Sequence, residues 1–237
     1  MYRSIDPPNV IETVRRLRDR VAERFPDSGL ARVASELHDV TCAAAARALW
    51  SAQPQILLRA VIGALTLLII AGVGAMVDAL SASAELQELS VLELVQGVES
   101  GVNEVVFVAL AIYFLVSLEN RIKRSRVLAA IHELRSLAHI IDMHQLTKDP
   151  DRMLLVGPDT DSSPERDLTP FELSRYLDYC SEMLSMLGKI AALYAQYTTD
   201  AVALSAVDQI EDLTSGLSRK IWQKLMILHQ VPNLPEE

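Results

Sequence analysis

The longest uninterrupted hydrophobic pattern in the chain is an uncharged stretch of 18 residues, 60–77, made almost entirely of Ala, Leu, Ile, Val and Gly. A helix of this length rises about 27 Å at about 1.5 Å per residue, close to the hydrocarbon thickness of a bilayer. Since the core helices of soluble proteins seldom need so long an apolar run, the stretch predicts a transmembrane helix. A second apolar run, 105–118, predicts that the chain returns across the membrane as a hairpin.

The second run is short for a span, because its residues reach only about 21 Å. A full span therefore has to begin near Gly101, which carries Asn103 and Glu104 into the outer part of the bilayer. An ionisable side chain at that depth indicates a functional site. The alternative is that tilt or local thinning of the bilayer leaves Glu104 at the interface. Together with Asp78 near the end of the first span, Asn103 and Glu104 are candidate residues of a pore or vestibule.

Small residues follow one side of the first span, at Ala60, Ala64, Ala71 and Ala75. Small side chains at helical spacing let two helix backbones approach closely, which favours association inside a bilayer. The stripe could join two subunits, or it could receive the second span of the same chain. Both interpretations stay open from the sequence.

The basic residues predict the topology of the hairpin. No Lys, Arg or His lies between Arg59 and Arg121, whereas Arg is frequent before the first span and basic residues follow the second directly. By the positive-inside rule both termini face the cytoplasm, and the acidic segment 81–100 between the spans faces the opposite side.

Outside the spans, apolar residues recur at spacings of three and four, which predicts amphipathic helices. Two such helices occupy segment 1–53, and a third is the cytoplasmic extension of the second span over 120–146. The predicted core positions of these three helices are Val10, Val14, Leu17 and Val21; Val33, Leu37, Val40, Ala44 and Ala48; and Ile131, Leu134, Leu137, Ala138 and Ile141.

The carboxyl-terminal part predicts a helical hairpin over 169–231, after an acidic, proline-containing linker at 147–168 and before a tail at 232–237. Thr169, Pro170 and Glu172 form the capping-box pattern that starts a helix. Its heptad-like core positions are Leu173, Leu177, Cys180, Leu184, Leu187, Ala191 and Tyr194, and those of the last helix are Ala203, Ala206, Ile210, Leu213, Leu217, Ile221, Leu225 and Leu228.

Candidate metal ligands lie on the other face of the extension, where His132, His139 and Asp142 follow one stripe. His132 and His139 are about 10 Å apart along a helix axis, so one ion would not easily be held by both. We expect a solvated or salt-bridged face, with a metal site between subunits as the weaker alternative.

The predicted fold class is therefore all-α, an integral membrane protein with a two-span hairpin and a cytoplasmic, coiled-coil-like helical bundle. The segments of the hairpin are 54–80 for the first transmembrane helix, 81–100 for the outer loop and 101–119 for the second transmembrane helix.

Composition and motifs limit the function. The net charge of −9 argues against a nucleic-acid partner, which needs a basic surface. Cys42 and Cys180 are expected to be two free, buried thiols inside helices. The chain carries no P-loop, dinucleotide-binding, zinc-protease or nucleophile-elbow motif, so we expect no cofactor, no resident metal and no enzyme activity.

Two functional hypotheses remain. In the first, a non-enzymatic membrane protein self-associates and presents its cytoplasmic bundle for assembly or for binding a cytoplasmic protein partner. In the alternative, an oligomer forms a cation-channel-like or pore-forming protein with an acidic outer vestibule. The lipid bilayer is a partner in both. Because Arg outnumbers Lys and no organelle signal is recognisable, the expected location is a bacterial inner membrane.

Overall fold

The computed structural model describes residues 4–52, 56–85, 91–150, 160–163 and 168–229. The described residues are mostly helical and contain no strand, which confirms the all-α prediction. The helices are α1 (Pro7–Arg24), α2 (Gly29–Ala52), α3 (Ile56–Glu85), α4 (Val91–Leu146), α5 (Pro170–Ala195) and α6 (Ala201–His229).

The chain divides into two compact units. The first, called the bundle below, contains Met1–Ala52 and Arg124–Glu237, and the second, called the apolar unit, contains Gln53–Lys123. Helix α4 contributes residues to both units.

Side-chain capping contacts mark the starts of α5 and α2 in the bundle. At α5, Thr169 Oγ1 accepts a hydrogen bond from the Glu172 backbone N–H at 3.2 Å, and the Glu172 carboxylate accepts one from the Thr169 backbone N–H at 2.9 Å. The predicted capping box is therefore confirmed. Before α2, Asp27 turns the chain with a φ of 58°, which Asp tolerates better than most residues, and Ser28 Oγ accepts from the Ala31 N–H at 3.1 Å.

The amphipathic faces predicted for α1, α2 and the extension of α4 are all buried, and they form one hydrophobic core together with α5 and α6. These three predictions are confirmed. They could be made from each helix alone, because an apolar stripe at helical spacing identifies the face that some other element has to cover.

Helix α5 lies at the centre of the bundle, with its backbone close to α1, α2 and α6. Every residue of its predicted seam is buried, but so are several on either side of the seam, which a two-helix hairpin would leave exposed. These additional buried residues are Tyr176, Tyr179, Met183, Met186, Ile190 and Leu193. The helix therefore packs on several neighbours at once instead of along one coiled-coil seam.

The core face of α6 differs in part from the prediction. Val207 and Thr214 are buried, whereas Ala206 and Leu213 are only partly buried at the edge of the core. The prediction of Leu213 as a core position is therefore wrong, and the neighbouring residue Thr214 is the one that is buried. Thr214 can occupy the core because its hydroxyl donates to the Ile210 carbonyl at 3.0 Å.

Helices α2 and α4 run antiparallel in the bundle. Arg47 Nη2 donates to Glu133 Oε2 at 2.9 Å, while Gly29, at the other end of α2, lies against the His144 ring. Ala52 and Arg124, the residues at which the chain leaves and re-enters the bundle, therefore lie toward the same end of the bundle.

The two cysteines have different environments. Cys180 is buried in the core, as predicted, but Cys42 is exposed on α2, so the prediction of two buried thiols is wrong for Cys42. Cys42 lies away from the buried face of α2, which contains Val40 and Ala44, so it is exposed.

The helices of the apolar unit are longer than the predicted spans. Residues 81–85 and 91–100, predicted to be loop, are helical at the end of α3 and the start of α4. Between them, residues 86–90 lie outside the described residues, as does most of the predicted linker at 147–168.

Candidate functional site

The apolar unit presents large hydrophobic side chains on its surface. In α3 the exposed fraction of Leu67 is 68%, and in α4 those of Phe107 and Tyr113 are 72% and 73%. Exposed apolar area costs about 25 cal/mol per Å² in water, so large exposed side chains of this kind are typical of a surface that meets an apolar medium or a partner. Away from the ends of a helix every backbone polar group is paired internally, which is the condition for entering a lipid core.

One helix of the described residues is long and apolar enough to cross a membrane. It runs over Val95–Leu146 within α4, and its most apolar part has a mean hydropathy of 2.0 with none of that part buried. The corresponding stretch of α3, Ala60–Ala75, is apolar but shorter. The two-span hairpin therefore stays a prediction.

The alanine stripe of α3 lies on an exposed side of the helix. Ala60, Ala64, Ala71 and Ala75 are all exposed, and a Cβ atom built on Gly63 or Gly74 would meet nothing within 4 Å. The partly buried side is a different one, and its residues are Ile62, Leu65, Ile69 and Gly72. The stripe is thus not covered by another part of the described chain.

The predicted vestibule residues lie on two helices. Asp78 is exposed on α3, five helical turns after Ala60 and on the same side, and Asn103 is exposed on α4. The backbone of Glu104 is helical, but its side chain lies outside the described residues. No described contact joins Asp78 to Asn103, so the vestibule stays a prediction.

The weak metal candidates belong to the bundle. His132 and His139 are exposed, and Asp142 Oδ1 accepts a hydrogen bond from Gln145 Nε2 at 2.7 Å. Within the described ranges, no three His, Cys, Asp or Glu side chains are grouped as a metal site requires. His132 instead lines an open cavity of about 440 Å³ between α4 and α6, where Arg135 Nη2 donates to Gln209 Oε1 at 2.8 Å.

A polar cluster that sequence reasoning missed closes the end of the bundle where α4 ends. Lys224 Nζ on α6 donates to the backbone carbonyls of Gln145 and Lys148 at 2.8 and 3.1 Å, which satisfies carbonyls left open by the helix terminus. Partial burial lowers the pKa of Lys224. No sequence signal links Lys224 to a helix end some 80 residues earlier.

His144 joins three helices in the same cluster. Its Nδ1 lies 3.4 Å from the Tyr176 hydroxyl of α5, and its ring occupies the space that a side chain at Gly29 of α2 would need. Burial, together with the positive charges of Arg32 and Lys148, lowers the pKa of His144. The neutral imidazole is therefore the form that fits this position.

A groove of about 520 Å³ lies between α5 and α6. Its lining is mostly small and hydroxyl-bearing, with one charge from each helix: Ser181, Ser185, Gly188, Lys189 and Ala192 from α5, and Glu211, Thr214, Ser215 and Ser218 from α6. Lys189 Nζ donates to Ser185 Oγ at 2.7 Å, so the ammonium group is bound to a residue of its own helix. This arrangement offers space, but no converging set of catalytic groups.

Comparison of the chain with protein-family models, curated proteins and solved structures finds no match.

Proposed function

We propose that the chain is a non-enzymatic, two-span protein of a bacterial inner membrane that self-associates and presents its helical bundle to the cytoplasm for assembly or partner binding. The observation that carries this proposal is the exposed apolar surface of α3 and α4, where side chains such as Leu67 and Phe107 are mostly exposed and could contact lipid. A bilayer removes the cost of that surface at once, because lipid tails are as apolar as the side chains.

The geometry of the bundle supports a hairpin. The chain leaves the bundle at Ala52 and returns at Arg124, and both residues lie toward the same end of the bundle because α2 and α4 are antiparallel. A segment that leaves and returns on one side of a membrane has to cross it an even number of times. Two crossings also agree with the absence of basic residues between Arg59 and Arg121.

Self-association is supported by the exposed alanine stripe. A stripe already covered by α4 would leave no small-residue surface for a second subunit, whereas Ala64 and Ala71 are exposed. Small residues on the lipid-facing side of a helix gain van der Waals contacts only when another helix approaches.

Cysteine labelling tests the topology, in a Cys42→Ser background that removes the exposed native thiol. In intact cells, an impermeant maleimide should label a cysteine placed at Ser83 or Ser90 and should not label one placed at Ser162. Labelling at Ser162 alone would reverse the orientation. Labelling on both sides would mean an odd number of spans and would end the hairpin proposal.

Enlarging the stripe tests self-association. Ala64→Leu with Ala71→Leu should reduce the oligomer mass of the protein in detergent or nanodiscs, because the longer side chains hold the helices apart. Thr66→Leu is the control, since it places a leucine side chain on a different side of α3 and should leave the mass unchanged. A monomeric wild type, or a double variant with the wild-type mass, would remove this part of the proposal.

A further inference from the structure

Cys42 does not stand alone on the surface of α2. His38 precedes it by one helical turn, and the Cys42 Sγ atom lies 3.9 Å from His38 Nε2. Residues four apart lie on one side of a helix, so the contact follows directly from the helical backbone and needs no other element. A thiol next to an imidazole nitrogen has the arrangement in which the imidazole can take the thiol proton.

The imidazole is held in place while the thiol is accessible. The His38 side chain is only 17% exposed, and its Nδ1 atom is buried without a hydrogen-bond partner among the described residues. Asp39 Oδ1 lies 3.5 Å from that Nδ1 atom, so a carboxylate faces the ring nitrogen that is not next to the thiol. Cys42 itself is exposed, so a reagent from solvent can reach its sulfur.

The second cysteine shows the contrast. Cys180 is fully buried among apolar side chains, and burial raises the pKa of its thiol to about 12. Such a thiol is inert, because the thiolate is the reactive form and a reagent cannot enter the core. Of the two thiols, only Cys42 combines access with a neighbouring base.

We propose that Cys42 is a nucleophilic modification site, activated by His38, that undergoes thiol–disulfide exchange with low-molecular-weight disulfides. His38 Nε2 accepts the thiol proton, and the Cys42 thiolate attacks one sulfur of the disulfide. The bond between Cys42 and that sulfur forms as the original S–S bond breaks, and the second sulfur leaves as a thiolate that takes the proton back from His38. The small disulfide is the oxidant, and one of its halves is released as the reduced thiol.

The rate of exchange with an aromatic disulfide, dithiobis-nitrobenzoate, measures this reactivity on the full-length protein in detergent at neutral pH. Cys42→Ser should abolish the native reaction, and Cys180 should react only after unfolding. His38→Gln should slow the reaction at least about tenfold, because the base is lost while the size of the side chain is kept. His139→Gln, an exposed histidine on α4, is the matched control and should react at the wild-type rate. Mass spectrometry after treatment with oxidised glutathione should place the adduct on Cys42.

The pH dependence separates activation from a change in accessibility. The ratio of the wild-type to the His38→Gln rate should fall toward one above about pH 9, where thiols ionise without help. A change in accessibility would leave that ratio constant with pH.

Native and urea-unfolded wild type provide a comparison that does not depend on how His38→Gln folds. Native Cys42 should react faster at neutral pH than cysteines of the unfolded chain, despite being less accessible. Equal rates for wild type and His38→Gln, a constant ratio with pH, or slower reaction in the native protein would each overturn the proposal.

Discussion

The contribution of Leu184 to the stability of the bundle can be worked out from its position. Leu184 lies on the central helix α5 and is 0% exposed. Leu184→Ala removes three carbon atoms, which corresponds to about 2.4 kcal/mol of transfer free energy at about 0.8 kcal/mol per methylene. The surrounding helices can close only part of the space, and the remaining cavity raises the expected loss of unfolding free energy to about 3 to 4 kcal/mol.

Two further positions calibrate this value. Leu213 is only partly buried at the edge of α6, so Leu213→Ala should lower the unfolding free energy by about 1 kcal/mol. Glu182, two residues before Leu184 in sequence, forms an exposed ion pair with Arg20 of α1. Because such pairs contribute little, Glu182→Ala should lower it by at most about 1 kcal/mol.

Thermal unfolding followed by circular dichroism in detergent micelles measures all three. For a protein of this size each kcal/mol shifts the midpoint by about 2 to 4 °C, so Leu184→Ala should lower Tm by about 6 to 16 °C. Equal midpoints for Leu184→Ala and Glu182→Ala would refute the central position of α5. A larger shift for Leu213→Ala than for Leu184→Ala would refute the face of α6 described above.

Three other predictions concern single positions. The pKa of His144 in the folded protein is lowered from its ordinary value of about 6.5, so below that pH the unfolded chain binds a proton that the folded protein does not. The Tm should therefore drop on acidification, and it should drop less in His144→Gln. Equal dependence of Tm on pH in the two proteins would contradict the lowered pKa. Thr169→Ala removes the cap of α5 and should lower the unfolding free energy by about 0.5 to 2 kcal/mol, while Thr169→Ser should retain most of it. If the channel alternative holds, Glu104→Gln should alter cation conductance in a planar bilayer without changing the oligomer mass, and a silent wild type would end that alternative.

Much of the fold could be predicted because its causes are local. The buried faces of α1 and α2 follow from apolar residues spaced three and four apart, and any helix with that pattern has to cover the same face. The start of α5 follows from Thr169 and Glu172, whose side chains reach backbone groups only three residues away. In the same way the uncharged run at 60–77 specifies an apolar helix surface without reference to the rest of the chain.

The candidate site could be predicted only in part. The alanine stripe was recognisable from spacing, but whether α4 covers it depends on the rotation of α3, which spacing does not define. The pair formed by His38 and Cys42 could also have been predicted from the sequence, because residues four apart in a helix lie on the same side. It was missed because Cys42 was assigned to the interior, and a buried thiol has no access to a reagent.

By itself, the sequence determined the cap of α5 and the apolar sides of α1, α2 and the extension of α4, since these depend on residues within one or two turns of each other. The tertiary structure alone decided that α5 is central, that Thr214 is more buried than Leu213, and that Lys224 closes the end of α4. These features depend on which helices meet and at what rotation. Several neighbours compete for each face, and the outcome is set by packing between side chains that are far apart in the chain.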